Sequence, residues 1–553
     1  MKHQEMTKSK GDFRVLIVYP NLPLMLIPAI SIALFTRIFR EAGYQVDLFE
    51  TTHYLAEDIS SSQKRAKMLN VRDFDPINDL GIVLKHDMMG DFRRKCEEFK
   101  PDFMIFSVVE DSFFQAVHLL EVVSDLNIPH LIGGVFPTNA PEECFESPEV
   151  SMIGLGEGEN SALQVAEAVR TGAPLNKILG TWHRDADGTI HRNPKDPLVD
   201  INRYRPDFSL FDENRFYRPM GGTVFKIIPV ESYRGCPYAC TFCNSPAQRT
   251  FSKEQGLGNF LRRKTMEVLK SELEEYLELY KPTFFYFVDD SFLARPRSEI
   301  FEFCDMYEKI KLPFWFNTRT ENCEPETLAR LKEVGCYRIS FGIECGNEQY
   351  RREVLRRKIS NEEMISRFKM IAESGIAYSV NLIIGMPGET RDHIMDTVRL
   401  VRSIDGYDAL TVSIFTPYHG TVLRDVAIKN GWLDPSQVTR HTTSSSILNM
   451  PPPYLSSKDI DGLASVLPLY CYFPESEWPE LRKAEGLDEE AQAIREHYAE
   501  IYRRDFLGET QEAKYSTRIV GGTGCKSNPK DEFTFSPVRF DEGQIIMLTV
   551  GSM

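Results

Sequence analysis

Two successive runs of alternating strand and helix patterns constrain this chain more than any other feature. From Phe13 to about Arg170, the short β-branched segments RVLIVYP, YQVDLFE, DFMIFSV, HLIGG and SMIGL alternate with helical stretches over 30–42, 115–124 and 161–169. Parallel strands need crossover connections, so this stretch predicts a doubly wound parallel sheet. A second series starts near Val224 and offers six strand segments, VFKIIPVES, TFFYFVDD, PFWFNTR, CYRISFGIE, YSVNLIIG and ALTVSIFT, separated by helical segments such as 266–279 and 365–374. Six βα units in succession predict a barrel, complete or partial. Between the two series, the turn signal Asp185 to Gly188 sits between TWHR and TIHR, and a proline-punctuated stretch follows, which reads as a hairpin and linker. Beyond about residue 430 the periodicity weakens into a triple proline at 451–453, a polar helical segment over 489–504 and a Gly, Lys and Asn-rich tail at 521–530. The expected organisation is an α/β chain with a first domain at 13–175, a hairpin and linker at 176–220, a partial (β/α)6 barrel at 221–430 and a mainly helical cap at 431–553.

Composition narrows the function classes. With 553 residues, 42% of them apolar, the chain is long enough for several packed domains and is not globally disordered. Its 81 acidic residues outnumber 65 basic ones, giving a net charge of −16, so a nucleic-acid partner is not expected. The longest near-apolar run, Leu22 to Phe35, contains two prolines and is shorter than the roughly 20 residues that span a bilayer, so no membrane span is expected. The charged start MKHQEMTKSKGDFR lacks a secretory core, which points to the cytoplasm, where most of the eleven cysteines would remain reduced thiols.

Three of those cysteines stand apart. RGCPYACTFCNSP places Cys236, Cys240 and Cys243 at C-x3-C-x2-C spacing directly after the first strand of the second series. Thiolates on one short loop can each ligate an iron of a cubane cluster and leave the fourth iron open to a ligand. A structural zinc site is the competing reading, although no paired Cys or His motif accompanies the loop.

The motif resembles the signature of the radical S-adenosylmethionine (SAM) superfamily, with the aromatic Phe242 just before the third cysteine. The resemblance implies a 4Fe-4S cluster on Cys236, Cys240 and Cys243 whose open iron chelates the amino and carboxylate groups of SAM. It further implies SAM contacts from Phe242, from Asp289, Asp290 and Ser291 in FVDDSF, from Glu344 in FGIECG at the ribose, from Gly385 in IIGMPGE beside the adenine, and from Thr416 and Pro417 in FTPYHGT. Relatives usually carry a second proline where this chain has His419. Taken singly, Asp289-Asp290 also reads as a helix cap, Glu344 as a surface carboxylate and GMPGE as a plain turn.

In an open α/β sheet, ligands bind beyond the carboxyl ends of the strands at the topological switch point. Those ends are Pro20, Asn21 and Leu22, then Ser107, Val108 and Glu110, then Gly133, Gly134 and Val135, with a GEGE turn at Gly156 and Glu157. A Rossmann or flavodoxin-like sheet of this kind can also hold a nucleotide or flavin. The arrangement resembles the cobalamin-binding domain that precedes the barrel in one class of radical SAM enzymes, which implies cobalamin contacts at those positions. The D-x-H-x-x-G motif that gives cobalt a histidine is absent here, so a base-off cobalamin without a histidine ligand is expected.

The class implies a methyltransferase that acts on an unactivated carbon through a 5'-deoxyadenosyl radical and methylcobalamin, supplied with electrons by a low-potential flavodoxin or ferredoxin. The acceptor could be a small molecule, a lipid or a protein side chain. Alternatives are a cobalamin-dependent cyclase or rearrangement enzyme, a methylthiotransferase, which would want a second cysteine cluster, and a non-enzymatic cobalamin sensor. Tyr418, His419, Cys345 and the aromatic cap stretch Leu469 to Phe473 are weaker candidates for active-site roles, since each also reads as ordinary packing.

Overall fold

A computed structural model describes residues 8–55, 65–439 and 445–508; the glycine-rich tail expected at 521–530 lies outside the described residues. The first module is a seven-stranded sheet formed by β1 (Arg14–Tyr19), β2 (Gln45–Glu50), β3 (Phe103–Val108), β4 (His130–Gly134), β5 (Met152–Gly154), β6 (Thr181–Arg184) and β7 (Ile190–Arg192), in spatial order 2-1-3-4-5-6-7. The first five strands are parallel, and β1 lies between β2 and β3, so the chain reverses its winding direction there. The 2-1-3-4-5 order is the flavodoxin-like arrangement, and its switch point falls between β1 and β3. The hairpin expected before the barrel does form, but its strands β6 and β7 continue the first sheet as an antiparallel edge, with Met152 paired to His183.

The second sheet also has seven strands, in order β16-β15-β14-β13-β12-β9-β8. β9 (Thr223–Val230), β12 (Phe284–Phe287), β13 (Phe314–Thr318), β14 (Cys336–Glu344), β15 (Ala377–Ile384) and β16 (Ala409–Ile414) are parallel, and β8 (Tyr217–Met220) adds an antiparallel edge. A two-stranded ribbon of β10 (Tyr233–Arg234) and β11 (Arg262–Arg263) stands beside it. The helix-facing side is a dense aromatic layer in which Phe287, Phe292, Phe303, Phe314 and Phe316 are all fully buried. The open β16 edge is not left bare. Asn70, from the segment that follows β2, accepts the Val412 N–H at 2.8 Å and donates to the Val412 carbonyl at 2.8 Å, so one amide side chain satisfies edge groups that would otherwise invite another strand.

Beyond the barrel, the helices Ser457–Tyr472, Trp478–Lys483 and Glu489–Asp505 pack together, and Ile460, Leu463, Leu467 and Leu469 join the same core as the barrel. Ser456 caps the first of these helices by accepting the Asp459 N–H at 3.2 Å. The aromatic stretch Leu469 to Phe473 belongs largely to this packing, with Tyr470 bonded to Glu485 at 2.6 Å. No helix among the described residues is long and apolar enough to cross a membrane.

Candidate active site

The cysteine loop leaves β10 through Gly235, whose φ is +98° and where an added Cβ would lie 2.5 Å from the Phe260 carbonyl oxygen. Only glycine turns the chain at that point without a clash. Cys236, Cys240 and Cys243 follow as unpaired, partly buried thiols. Burial pushes Cys236 up to about 11 and Cys243 up to about 12, and the Asp290 carboxylate adds to both shifts. Burial also raises Cys240, against the opposing charges of Arg357 and Arg319. Such thiols ionise readily only beside a bound cation. The Ser245 N–H points at Cys243 Sγ from 3.4 Å, a donor of the kind that tunes an iron-bound sulfur. Among the described residues, no three His, Cys, Asp or Glu side chains converge on a single-ion site. A zinc tetrahedron wants a fourth protein donor, whereas a cubane takes one thiolate per iron and is left by a three-cysteine loop with one iron open to a ligand.

The barrel residues tied to SAM by resemblance divide into those free to face a ligand and those already engaged. Asp290 is exposed beside the thiols and accepts from Ser245 Oγ at 3.3 Å. Asp289 is buried and spent on structure: it accepts the Ser232 N–H at 2.7 Å and the Tyr233 N–H at 3.0 Å, and pairs with Arg295. It thereby clips the start of the cysteine loop to the end of β12. Ser291 is also buried, within reach of Thr318 Oγ1 at 3.3 Å and accepting from Asn322 at 3.3 Å. Glu344 closes β14 at φ +66°, where the register with β15 slips, and pairs with Arg357 at 3.1 Å. Burial raises its carboxyl while Arg357 and Arg319 oppose the shift. Arg319 in turn stacks 3.8 Å over the Tyr238 ring of the cysteine loop. Sequence reasoning missed both arginines, because nothing local marks an arginine that reaches a loop more than 80 residues away.

Gly385 donates its N–H to Glu389 at 2.6 Å, so GMPGE folds as a turn closed by its own glutamate, and Gly385 lies directly against Ile460 of the first cap helix. Phe242 packs partly buried against the main core. Cys345 is fully buried beside Thr397 and serves the core. Thr416 and Pro417 follow β16 in the segment that carries Tyr418 and His419 toward the first module.

The switch-point edge of the first sheet is open and apolar. A Cβ at Gly133 would meet nothing nearer than the Phe106 carbonyl at 4.0 Å. Met25 and Val109, in the loops after β1 and β3, and Val135, which opens the short helix after β4, expose 42%, 49% and 40% of their surface, an unusual grouping of bare apolar side chains on one edge. Among the residues expected there, Leu22 and Ser107 are partly buried, and Ser107 Oγ lies 3.2 Å from Ser31 Oγ. Pro20 and Val108 are buried. Asn21 is held by Thr51, Thr52 and Met25, and the Gly156 N–H by Thr138 at 2.9 Å. Gly134 has φ +130° and touches the Val108 backbone, which leaves no room for a side chain. Met25 escaped the sequence reading, which stopped at Leu22 in the loop after β1.

Two carboxylates expected at a cofactor join the modules instead. Glu110 is 5% exposed and accepts the His419 N–H at 3.0 Å and the Thr439 N–H at 2.7 Å, while His419 Nδ1 stands 2.9 Å away, close enough for an ion pair though not aligned for a hydrogen bond. Beside it, Tyr418 donates to Asp111 at 2.9 Å. Glu157 binds Arg262 and accepts the Val199 N–H at 2.8 Å. Arg234, two residues before Cys236, pairs with Glu157 at 3.4 Å, Glu159 at 2.8 Å and Glu231 at 2.8 Å. The apolar ledge and the cysteine loop are therefore fastened to each other from two sides.

Residues 230–401 match the family model described as the Radical SAM superfamily. Over 382 residues, 68% of this chain, it is 25% identical to an uncharacterized methyltransferase of Pyrococcus horikoshii and covers 80% of that protein. A cytidylyl-2-hydroxyethylphosphonate methyltransferase of Streptomyces wedmorensis is 22% identical over 78% of this chain and 83% of its own length. An anaerobic magnesium-protoporphyrin IX monomethyl ester cyclase of Rubrivivax gelatinosus is 24% identical over 61% of this chain and 60% of its own. Among solved structures, the radical SAM methyltransferase TsrM of Kitasatospora setae, with cobalamin and a [4Fe-4S] cluster bound, superposes with a TM-score of 0.58 at 14% identity, covering 89% of this chain and 99% of that one. The cobalamin-dependent radical SAM enzyme OxsB with aqua-cobalamin bound gives 0.60 at 14% identity, over 89% and 71%. The three-cysteine loop at the mouth of the half-barrel thus falls within the residues that match the Radical SAM superfamily model, and the chain has the fold of those two enzymes.

Proposed function

We propose that the protein is a cobalamin-dependent radical SAM methyltransferase acting on an unactivated carbon. The observation that carries this reading is a three-cysteine loop on one module and a bare apolar edge on the other, with the two modules tied together by the Glu110 and Arg234 networks. When bound, a 4Fe-4S cluster on Cys236, Cys240 and Cys243 supplies the electron that cleaves SAM, and cobalamin on the ledge carries the methyl group. The chain's own task is placement and exclusion. Asp290 and Glu344 present carboxylates at the strand ends, Arg357 and Arg319 balance their charge beside Cys240, and Met25, Val109 and Val135 keep the ledge dry. The bound form we propose is base-off without a histidine ligand, because the sequence after β1 lacks the D-x-H-x-x-G motif.

The methyltransferase reading draws support from relatives of that name, which match over 80% and 83% of their length against 60% for the cyclase. A methylthiotransferase wants a second cysteine cluster, and the seven other described cysteines are buried and scattered. Electrons come from a low-potential one-electron carrier, and the acceptor is a small molecule, a lipid or a protein side chain.

The test is anaerobic reconstitution with iron, sulfide and hydroxocobalamin, followed by metal and corrinoid counts and product analysis with SAM and a reductant. A methylase yields S-adenosylhomocysteine together with 5'-deoxyadenosine, whereas a cyclase yields only the latter. Full iron retention in the combined Cys236→Ala, Cys240→Ala and Cys243→Ala variant would refute the site.

A further inference from the structure

The segment Arg351 to Lys358, RREVLRRK, carries five basic residues against Glu353 alone in a chain whose net charge is −16. Its helix Glu348–Glu353 ends in an irregular strap whose side chains alternate between inside and outside. Leu355, Arg357 and Ile359 are buried, while Arg352, Arg356 and Lys358 are exposed. Arg351, fully buried, fixes the curvature by donating to the Cys345 carbonyl at 2.8 Å, the Ile359 carbonyl at 2.8 Å and Asn361 at 2.7 Å. The strap is therefore a rigid ledge of positive charge.

Its inner side reaches the cysteine loop directly. Thr241, the residue after Cys240, donates its hydroxyl to the Val354 carbonyl at 2.7 Å, and buried Arg357 reaches Glu344 beside the same cysteine. The Thr241 carbonyl accepts the Leu423 N–H at 3.0 Å, which sets Val422, 39% exposed, on the neighbouring helix Val422–Lys429. From this surface to Cys240 is one hydrogen bond and one peptide unit. Arg352 has an exposed partner in Glu353 at 3.2 Å, whereas Arg356 and Lys358 have no ion pair among the described residues. Arg356 also sits at φ +56°, a backbone region that favours glycine or asparagine, so a long cation is kept at a position that costs energy. The nearby acids are few: Glu363 is engaged by Arg367 at 3.0 Å, Glu348 accepts the Asn361 N–H at 2.7 Å, and Glu362 and Asp425 are exposed.

Resting on the proposed cluster at Cys236, Cys240 and Cys243, we infer that the ledge of Arg352, Arg356 and Lys358 around Val422 is the docking surface for an acidic, low-potential one-electron carrier protein. The carrier gives up one electron and the oxidised cluster takes it, with no bond or proton moved. Complementary charge at such a surface sets the encounter rate and fixes orientation more than it adds affinity, so its signature is salt dependence.

The probe is a purified bacterial flavodoxin titrated against the reconstituted full chain at low and high salt, with cluster bleaching followed by stopped-flow absorbance after mixing with the reduced flavodoxin or with dithionite. Arg356→Glu with Lys358→Glu is expected to weaken flavodoxin binding and slow flavodoxin-driven bleaching by about tenfold or more at low salt, leaving dithionite-driven bleaching unchanged. Arg356→Gly, which relieves the backbone, is expected to weaken docking while keeping or raising thermal stability, so that loss of binding is not loss of fold. Equal binding and bleaching in wild type and variants overturn the docking surface while leaving the cluster intact. Salt-dependent capture of a transfer RNA on the ledge in place of flavodoxin overturns it as well. A wild-type chain that takes up no cluster overturns the underlying functional reading.

Discussion

Replacing Glu110 by alanine tests whether the two modules are held by one buried carboxylate. In the wild type that carboxylate satisfies the main-chain N–H groups of His419 and Thr439 and lies within ion-pair distance of the His419 ring. Truncation leaves these donors buried without a partner, and each stranded group costs about 1–3 kcal/mol. The groups share one site and do not add, so the loss should resemble that of a broken buried ion pair, roughly 3–5 kcal/mol. At ~2–4 °C per kcal/mol for domains of 150–250 residues, calorimetry should show the melting temperature falling by roughly 10 °C.

The pH dependence supplies a second readout. Burial pushes the Glu110 carboxyl up, but the bonds from His419 and Thr439 outweigh it and hold the group below its ordinary value of 4.5. The folded chain then keeps the charge while the unfolded chain takes up protons. The contribution is present in full above 4.5 and is lost as the pH falls through the lower folded value, so the gap between wild type and variant should narrow in acid. Asp111 and Arg424 also feel this charge, and Asp111 titrates at about 6, so the comparison must be a difference between the two proteins at each pH. A shift of less than about 2 °C at neutral pH, or a gap that widens in acid, would refute the reasoning.

Glu389 behaves in the opposite sense. Fully buried with Oε1 unpartnered, it is pushed up to about 8 by burial despite the Met386 and Gly385 N–H groups, so its contribution is complete below 4.5 and is lost as the pH rises through about 8. Glu389→Gln should therefore be the more stable of the two at pH 9, by roughly 1–3 kcal/mol, and a wild-type curve parallel to the variant's across this range would show that the group is already paired. Gly133→Leu places a side chain where a Cβ has 4.0 Å of clearance. Folding should change by no more than about 0.5 kcal/mol, while corrinoid retained after desalting should drop sharply; full retention would move the cofactor off this ledge.

The strand alternation and the three-cysteine spacing were legible because each is a local pattern. Helix Met266–Leu279 occupies the segment its periodicity marks, and helix Ile30–Glu41 stops one residue short of its expected end. The partners of charged residues were not legible. Asp289, Glu110 and Glu157 look like ligands of a bound molecule in the sequence, yet each is consumed by a residue far along the chain: Arg295 and Ser232, His419 and Thr439, Arg262 and Arg234. A carboxylate at the end of a strand states that charge is needed there, and only the tertiary fold decides whether a ligand or another module answers it. The edge role of Asn70 and the apolar ledge were invisible for the same reason, because both depend on what lies opposite.

Arg234 is at once the close neighbour of Cys236, the first cysteine of the loop, and the counterion of the GEGE turn. A graft that brought in a foreign front half would have to import acids at positions 157 and 159, or leave Arg262 without its carboxylate and Arg234 with Glu231 alone. The two halves of this molecule are therefore matched to each other, and a chimera with a relative should fold well only where the crossover lies outside the stretch from 157 to 262.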